Sequence, residues 1–193
     1  MATDRTEPPQ GFAYQPDFLS SSEEAALLRR IEGLSFNEVR MHGVVAKRRV
    51  LHYGWRYGYE SWQLTPAPPV PDWLLPLRER VAGLLDVAID RLEEVLISQY
   101  PAGAGIGRHR DAPMFGPAVA GLSLVSPCRL RFQRKLGDRR LLFEQTLEPR
   151  SAYILAGSSR SAWQHQIPQT KALRYSITFR TLACHPSVRL AHP

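Results

Sequence analysis

The rhythm of hydrophobic positions changes near residue 95. Before it, apolar residues recur at helical spacing in two stretches. The first follows Asp17. Ser20 or Ser21 can cap a helix whose opening turn carries Glu23 and Glu24 and whose apolar positions are Ala26, Leu27, Leu28 and Ile31. The second runs from Trp73 to about Leu85, with Leu74, Leu77, Val81 and Leu84 on one face. Between them, residues 35–60 are aromatic and basic and alternate around Val44, Val45, Val50 and His52, which predicts two or three strands. Pro66, Pro68, Pro69 and Pro71 then make a rigid extended connector. From Val95 onward the period is two. VLISQY, VAGLSLVS, RLRFQRK, RLLFEQTL, SAYILAG and LRYSITFRTL are short branched and aromatic runs broken by Gly, Pro and Asp. Such runs imply antiparallel sheets closed into a sandwich or jelly roll. The expected fold is therefore α+β, with two N-terminal helices packed on a β-sandwich. Residues 1–16, with Pro8, Pro9 and Pro16, read as a flexible lead-in, 17–183 as a single domain and 184–193 as a C-terminal tail.

Composition narrows the class. A chain of 193 residues, 44% hydrophobic, can bury a full core. No apolar run approaches the roughly 18–20 residues of a transmembrane helix. The opening MATDRTEPPQ is polar and acidic, unlike a secretory or transit signal. Cys128 and Cys184 stand far apart, so neither a disulfide framework nor a thiolate zinc site is indicated, and a cytoplasmic monomer is expected. Neither cysteine, nor His185 or His192, matches a site. The net charge of +7 is unevenly placed. Residues 1–100 hold 14 acids and 11 bases, whereas residues 101–193 hold 4 acids and 14 bases. A basic C-terminal half suits an anionic partner such as nucleic acid, although a solvated surface would look the same.

The segment ISQYPAGAGIGRHRDAP offers two readings. Gly103, Gly105 and Gly107 suggest a dinucleotide fingerprint, but Arg108 occupies its final position and no βαβ unit surrounds it. His109 and Asp111 carry more information. Two residues apart on an extended strand, they share a face. A later histidine such as His165 would complete two imidazoles and a carboxylate, the facial triad of non-haem Fe(II) oxygenases. Alone, the pair also fits a surface histidine beside a counter-charge. Arg174 and Arg180, six apart on a candidate strand, again share one face, and Tyr175, Ile177 and Phe179 make the alternate face apolar. Two such guanidinium groups beside an iron site call for an anion, and a dicarboxylate would fit.

Taken together, Tyr100, Gly103, IGRHRD, WQHQIP and RYSITFR resemble the AlkB-like Fe(II)- and 2-oxoglutarate-dependent dioxygenases, in order and spacing, from about Phe18 to Leu182. The resemblance implies a double-stranded β-helix (jelly-roll) core with the helices packed on the sheet. It implies that His109, Asp111 and His165 bind Fe(II) and that Arg174, helped by Tyr100, pairs with the distal carboxylate of 2-oxoglutarate. Arg180 would lie near the C1 end, with Thr178 and Ser176 in support. Ser98 stands where the family carries an Asn. The implied reaction consumes O2, converts 2-oxoglutarate to succinate and carbon dioxide, and hydroxylates a C–H bond; on a nitrogen-bound carbon the product would release an aldehyde.

For the substrate, KRRVLHYGWRYGYES resembles the family's substrate-facing wall. Trp55 could stack on a flipped base, with Tyr57 and Tyr59 beside it, and Lys47, Arg48, Arg49 and Arg110 available for phosphates. The same aromatics could instead pack a core. Arg160 and LSLVSPCRLRFQR are similar to the subgroup whose eukaryotic member hydroxylates wobble uridines in tRNA. Ala112 and Pro113 replace the acidic residue that repair enzymes place after the metal pair. The expected partner is alkylated DNA or RNA, tRNA included. A protein side chain, a small metabolite, or a non-catalytic binding role are the alternatives.

Overall fold

The computed structural model describes residues 2–41, 43–58 and 63–183. Two strands come first, β1 (Ala2–Arg5) and β2 (Phe12–Gln15), followed by helix α1 (Ser21–Ile31). Strands β3 (Asn37–Met41), β4 (Val44–Tyr53), β5 (Trp55–Gly58) and β6 (Gln63–Pro66) precede helix α2 (Leu75–Leu85). Then come β7 (Glu94–Tyr100), β8 (Ile106–His109), β9 (Phe115–Leu124), β10 (Cys128–Leu136), β11 (Arg139–Leu147) and β12 (Ala152–Leu155). A one-turn helix α3 (Gly157–Ser161) leads to β13 (Gln164–Ile167) and β14 (Arg174–Leu182). No helix among the described residues is long and apolar enough to cross a membrane.

The strands form a seven-stranded sheet in the order β2-β12-β9-β14-β7-β4-β3 and a five-stranded sheet in the order β1-β11-β10-β13-β8, with β5 and β6 as a separate hairpin. This is the double-stranded β-helix expected, with the helices on the outer face of the larger sheet. Period-two alternation decides what each face meets. Val95 and Ile97 of β7, and Tyr175, Ile177 and Phe179 of β14, pack with Ile31 of α1 and Val81 of α2 in one buried cluster. The intervening residues, Glu94, Ser98, Arg174, Ser176, Thr178 and Arg180, turn into the space between the sheets, and all are buried. Leu130 and Phe132 of β10 and Tyr153 and Leu155 of β12 fill the rest of that space.

Helix α1 starts where the sequence places it. The Ser20 hydroxyl accepts from the Glu23 amide at 3.2 Å while the Ser20 amide donates to Glu23 at 2.7 Å, a reciprocal capping box. Arg80 of α2 ties the two helices by an ion pair to Glu23 at 2.5 Å.

Within the stretch read from the sequence as a flexible lead-in, Ala2–Arg5 and Phe12–Gln15 form strands. Strand β1 pairs in parallel with β11, and β2 pairs antiparallel with β12. Joining a sheet edge requires backbone hydrogen bonds, which Pro8 and Pro9 interrupt only between the two strands. Phe12 then packs edge-on against Phe132, with ring centroids 5.0 Å apart.

Candidate active site

His109, at the end of β8, and His165, in β13, are direct cross-strand partners. Their rings lie 4.3 Å apart between centroids. Asp111 falls two residues beyond β8, and the ligand atoms of all three residues lie within 4.8 Å of one another. The glycines that resembled a nucleotide loop serve this placement. A Cβ on Gly105 would come within 2.7 Å of the Ile167 carbonyl, so only glycine lets the chain approach β13 this closely before β8 begins. The Gly107 carbonyl accepts from His109 Nδ1 at 2.8 Å, which leaves Nε2 with its lone pair for a metal.

Arg160 fixes the segment after the triad's aspartate. Its guanidinium, buried at the C-terminal end of α3, donates to the carbonyls of Asp111 at 3.0 Å, Ala112 at 2.9 Å and Phe115 at 3.3 Å. The Asp111 side chain is 6% exposed and accepts from Arg180 Nη2 at 3.2 Å. Burial opposes its ionisation, but Arg180, His165 and Arg160 outweigh that and hold the carboxyl at about 2. Burial pushes His165 down to about 4, with His109 adding to the effect, and it lowers His109 as well. At neutral pH the site therefore presents two neutral imidazoles and one carboxylate, the protonation state a divalent metal requires.

Arg174 is fully buried. Its Nε donates to Ser123 Oγ at 3.1 Å and its guanidinium carbon lies 5.0 Å from the centre of the Tyr100 ring. Both terminal nitrogens, Nη1 and Nη2, lack a hydrogen-bond partner, as does His165 Nδ1. A buried guanidinium left in this state is costly unless an anion completes it. The donor set thus fits a divalent iron at the triad and a carboxylate at Arg174.

Arg180 has a different setting from the one expected beside the cosubstrate alone. Its Nη1 donates to both oxygens of Glu94, at 3.2 and 3.0 Å, and Glu94 is fully buried. His52 Nδ1 stands 3.2 Å from the same carboxylate. A continuous polar chain therefore runs from His52 through Glu94 and Arg180 to Asp111. Glu94 was not singled out from the sequence, and His52 was read only as a position in a strand. The signal was present in the register, since Glu94 shares a face with Ser98 and Tyr100.

The structure brings the other expected cosubstrate residues together. Ser98, Tyr100, Ser176, Thr178 and Arg180 line one cavity of about 50 Å³ with His109, Asp111 and His165. The expected substrate residues are dispersed. Arg48 does not reach outward for phosphate. It is 5% exposed, lines the same cavity and donates from Nη1 to Ser98 Oγ at 3.2 Å, because position 48 alternates with the outward-facing positions of β4. Tyr57 is 5% exposed with its ring edge-on to Phe115 at 6.0 Å, so it packs under the hairpin rather than offering a stacking face. Trp55 is half-buried against the same small cluster. Arg110 is exposed between the two ligands of the H-x-D pair. Tyr59, Cys184, His185 and His192 lie outside the described residues, and Cys128 is a buried free thiol. A second cleft, of about 630 Å³, lies between β3, β4 and the β5–β6 hairpin and is lined by Asn37, His52, Arg56 and Tyr57. Arg48 and Leu96 line both spaces and so stand at their junction.

Comparison with known proteins agrees with this geometry. The sequence profile of the 2OG-Fe(II) oxygenase superfamily matches residues 11–180. The "Alkylated DNA repair protein ALKBH8 homolog" of Arabidopsis thaliana is 28% identical over 212 residues, covering 91% of this chain and 59% of that protein. The "tRNA (carboxymethyluridine(34)-5-O)-methyltransferase alkbh8" of Xenopus tropicalis is 30% identical over 170 residues, covering 84% of this chain and 26% of that protein. The chain thus spans less than two thirds of the first relative's length and about a quarter of the second's. The solved structure of OsALKBH1 superposes with a TM-score of 0.68 at 16% identity, over 91% of this chain and 98% of the other, which shows a shared fold. The chain is an AlkB-like member of the 2OG-Fe(II) oxygenase superfamily.

Proposed function

We propose that the chain is an Fe(II)- and 2-oxoglutarate-dependent dioxygenase that demethylates or hydroxylates nucleobases in nucleic acid. One observation carries the reading: the His109–Asp111–His165 triad and the unpartnered, fully buried guanidinium of Arg174 belong to one polar interior between the sheets. Bound iron would activate O2, the oxidant, and 2-oxoglutarate would give up two electrons in becoming succinate and carbon dioxide, so that one oxygen atom would end in succinate and the other in a substrate C–H bond. The chain's own residues bind and orient. His109 Nε2, Asp111 and His165 hold the metal. Arg174 takes the distal carboxylate across the Tyr100 ring, with Ser98, Ser176 and Thr178 lining the path to the metal. Arg180 holds Asp111 ionised and in place, and Arg160 fixes the backbone that carries it.

The cleft beside the β5–β6 hairpin admits the substrate, and Arg48 and Leu96 face it at the mouth of the iron cavity. Arg56 and the exposed Arg110 suit phosphates on either side of a target nucleotide. The names of the two relatives, one for alkylated DNA repair and one for tRNA, support a nucleic-acid substrate. A cytoplasmic setting belongs to the same reading, in keeping with the free thiol of Cys128. The test is direct. With Fe(II), ascorbate and 2-oxoglutarate the protein releases succinate, and His109→Ala or Asp111→Ala abolishes release; succinate formation unaffected by both changes refutes the site. Mass spectrometry of nucleosides from alkylated oligonucleotides and bulk tRNA then reads loss of a methyl group or gain of one oxygen. No nucleoside change alongside intact 2-oxoglutarate turnover refutes the nucleic-acid substrate.

A further inference from the structure

The turn from β9 to β10 carries strain that its own side chains do not offset. Val125 has φ +74°, a region that a β-branched residue rarely enters, and the Ser126 amide donates to the Leu124 carbonyl across it at 3.0 Å. These are the marks of the rare, strained form of the γ-turn. Val125 is 39% exposed, so burial of its side chain does not compensate the backbone. What holds the turn is Glu24, in the first turn of α1. Its Oε1 accepts from the Val125 amide at 2.8 Å, and its Oε2 accepts from Arg150 Nη1 at 3.4 Å. Arg150, between β11 and β12, also stands at positive φ, +65°. One carboxylate thus ties two turns of unusual backbone to a helix, and its side chain is 12% exposed.

Both turns converge on Ser123. The Arg150 amide donates to the Ser123 carbonyl at 2.7 Å, the Ser123 amide donates to the Ser151 carbonyl at 3.0 Å, and Val125 follows Ser123 by two residues. Ser123 is fully buried, and its Oγ accepts from Arg174 Nε at 3.1 Å. Nη1 and Nη2 of Arg174 have no partner, so among the described residues this is the one hydrogen bond that aims the guanidinium. The Tyr100 ring supports one face of the group but does not fix its rotation within the plane.

We propose that Glu24 is a positioning residue for the 2-oxoglutarate anchor: by holding the Val125 and Arg150 turns together it fixes Ser123, and Ser123 aims the fork of Arg174 at the distal carboxylate. The inference rests on the assignment of Arg174 to that carboxylate and adds a residue on α1 that touches neither metal nor cosubstrate. Backbone strain persists only where the surroundings over-determine it, and it gathers where a site needs one fixed geometry. Two-point recognition of a carboxylate by a guanidinium is such a case, because both N–H groups must meet their oxygens in one plane. Without the Glu24 carboxylate the Val125 turn relaxes toward negative φ, and the displacement reaches Ser123 two residues away. The triad lies off this route, since His109 and Asp111 stand at and just beyond the end of β8, and His165 stands in β13.

The test is calorimetric titration of the Mn(II)-loaded protein with 2-oxoglutarate and with 2-oxopentanoate, which has the same 2-oxo acid head and a methyl group in place of the distal carboxylate. Glu24→Ala is expected to weaken 2-oxoglutarate about three- to tenfold, the size of effect carried by residues that touch no ligand. Its affinities for 2-oxopentanoate and Mn(II) are expected to stay unchanged. Ser123→Ala removes only the last link, leaves α1 intact and is expected to show the same selective loss. Val125→Gly added to Glu24→Ala is expected to restore 2-oxoglutarate affinity, because glycine holds a positive φ without the carboxylate. Unaltered 2-oxoglutarate affinity in folded Glu24→Ala, or in Ser123→Ala, overturns the positioning role; if Arg174→Gln weakens 2-oxoglutarate in the same assay, the assignment of Arg174 stands. Equal losses for the two oxo acids, or a loss of Mn(II) affinity, overturn the role as well, because a general structural disturbance spreads that way. No recovery in the double variant overturns the route through the Val125 turn. Arg174→Gln without effect overturns the assignment on which the inference rests.

Discussion

Glu94→Gln removes one negative charge from the interior and keeps the side chain's shape. In the native protein Arg180 sits between two carboxylates, Glu94 at 3.0 Å and Asp111 at 3.2 Å, and neither pair is more than 8% exposed. Removing one partner of a buried ion pair costs about 3–5 kcal/mol. Because glutamine still offers an oxygen to Arg180 Nη1, and Asp111 still compensates the charge, the lower end applies, about 3 kcal/mol. For a domain of this size each kcal/mol lowers the melting temperature by about 2–4 °C, so a fall of about 6–12 °C is expected. The second consequence separates this account from mere destabilisation. With Glu94 neutral, Asp111 takes a larger share of Arg180's charge, and a tighter hold on Asp111 competes with metal. Loss of such an outer partner typically weakens metal binding 10–100-fold. Titration with Mn(II) followed by electron paramagnetic resonance measures that affinity at a temperature where the variant is folded, and a circular dichroism melt gives the stability. A variant with wild-type melting temperature and wild-type Mn(II) affinity would refute the claim that Glu94 balances Arg180 and thereby positions Asp111.

Three further outcomes follow from the same geometry. Arg174→Gln should weaken 2-oxoglutarate binding about 10–100-fold, the equivalent of one charge-assisted contact, while Mn(II) affinity stays unchanged; calorimetric titration of the metal-loaded protein checks this, and an unaltered cosubstrate affinity counts against Arg174 as its anchor. Arg160→Met leaves the carbonyls of Asp111, Ala112 and Phe115 without their donor, so metal affinity should fall about tenfold with little change at Arg174, as the same two titrations would show. The metal-free protein should lose stability in acid by a definite route. His165 titrates near 6.5 when unfolded and at about 4 when folded, so the unfolded chain binds the extra proton first. Its contribution is complete above pH 6.5 and is lost as pH falls toward 4, about 3 kcal/mol in all, with Asp111 adding a further loss between its ordinary value and about 2. Urea melts across that range test the sign, and stability that rises as pH falls from 6.5 to 4 would contradict it.

Most of the framework could be read from the sequence because period two is a strong signal wherever one face of a strand packs on helices. All six runs after Val95 became strands, and both helices lie where the apolar spacing placed them. The strands that carry the ligands were harder. β8 and β13 have four residues each, too few for alternation to register, and only the ligand chemistry of His109 and His165 drew attention to them. Arg174 and Arg180 were legible as a same-face pair against Tyr175, Ile177 and Phe179. Their separate environments were not, because Glu94 and Ser123 come from two other strands. The expectation for the substrate wall was weakest for a physical reason. Aromatic and basic residues such as Tyr57 and Arg48 have the same pattern whether they face solvent or interior, and only the fold of the hairpin over β4 decides.

The pairing of β7 with β14 explains why this interior can be so polar and still belong to a folded protein. The register sets Arg174 opposite Tyr100, Ser176 opposite Ser98, Thr178 opposite Leu96 and Arg180 opposite Glu94. Arg174, Ser176 and Arg180 therefore face polar side chains across the ladder, Thr178 faces Leu96, and the opposite faces of the same strands supply the apolar contacts to the helices. The balance is nonetheless incomplete. Among the described residues, four buried guanidinium groups, those of Arg48, Arg160, Arg174 and Arg180, stand beside two buried carboxylates, Glu94 and Asp111. In the proposed site iron would add two positive charges and 2-oxoglutarate two negative ones, so the pair would restore no net charge; what it would change is where charge is met, the dianion at Arg174 and the metal at Asp111. Both groups would bind only the folded arrangement, in which β8, β13 and β14 bring these side chains together. Ligand binding there would be folding free energy, and its effect should reach the strands that hold the triad before it reaches the helices.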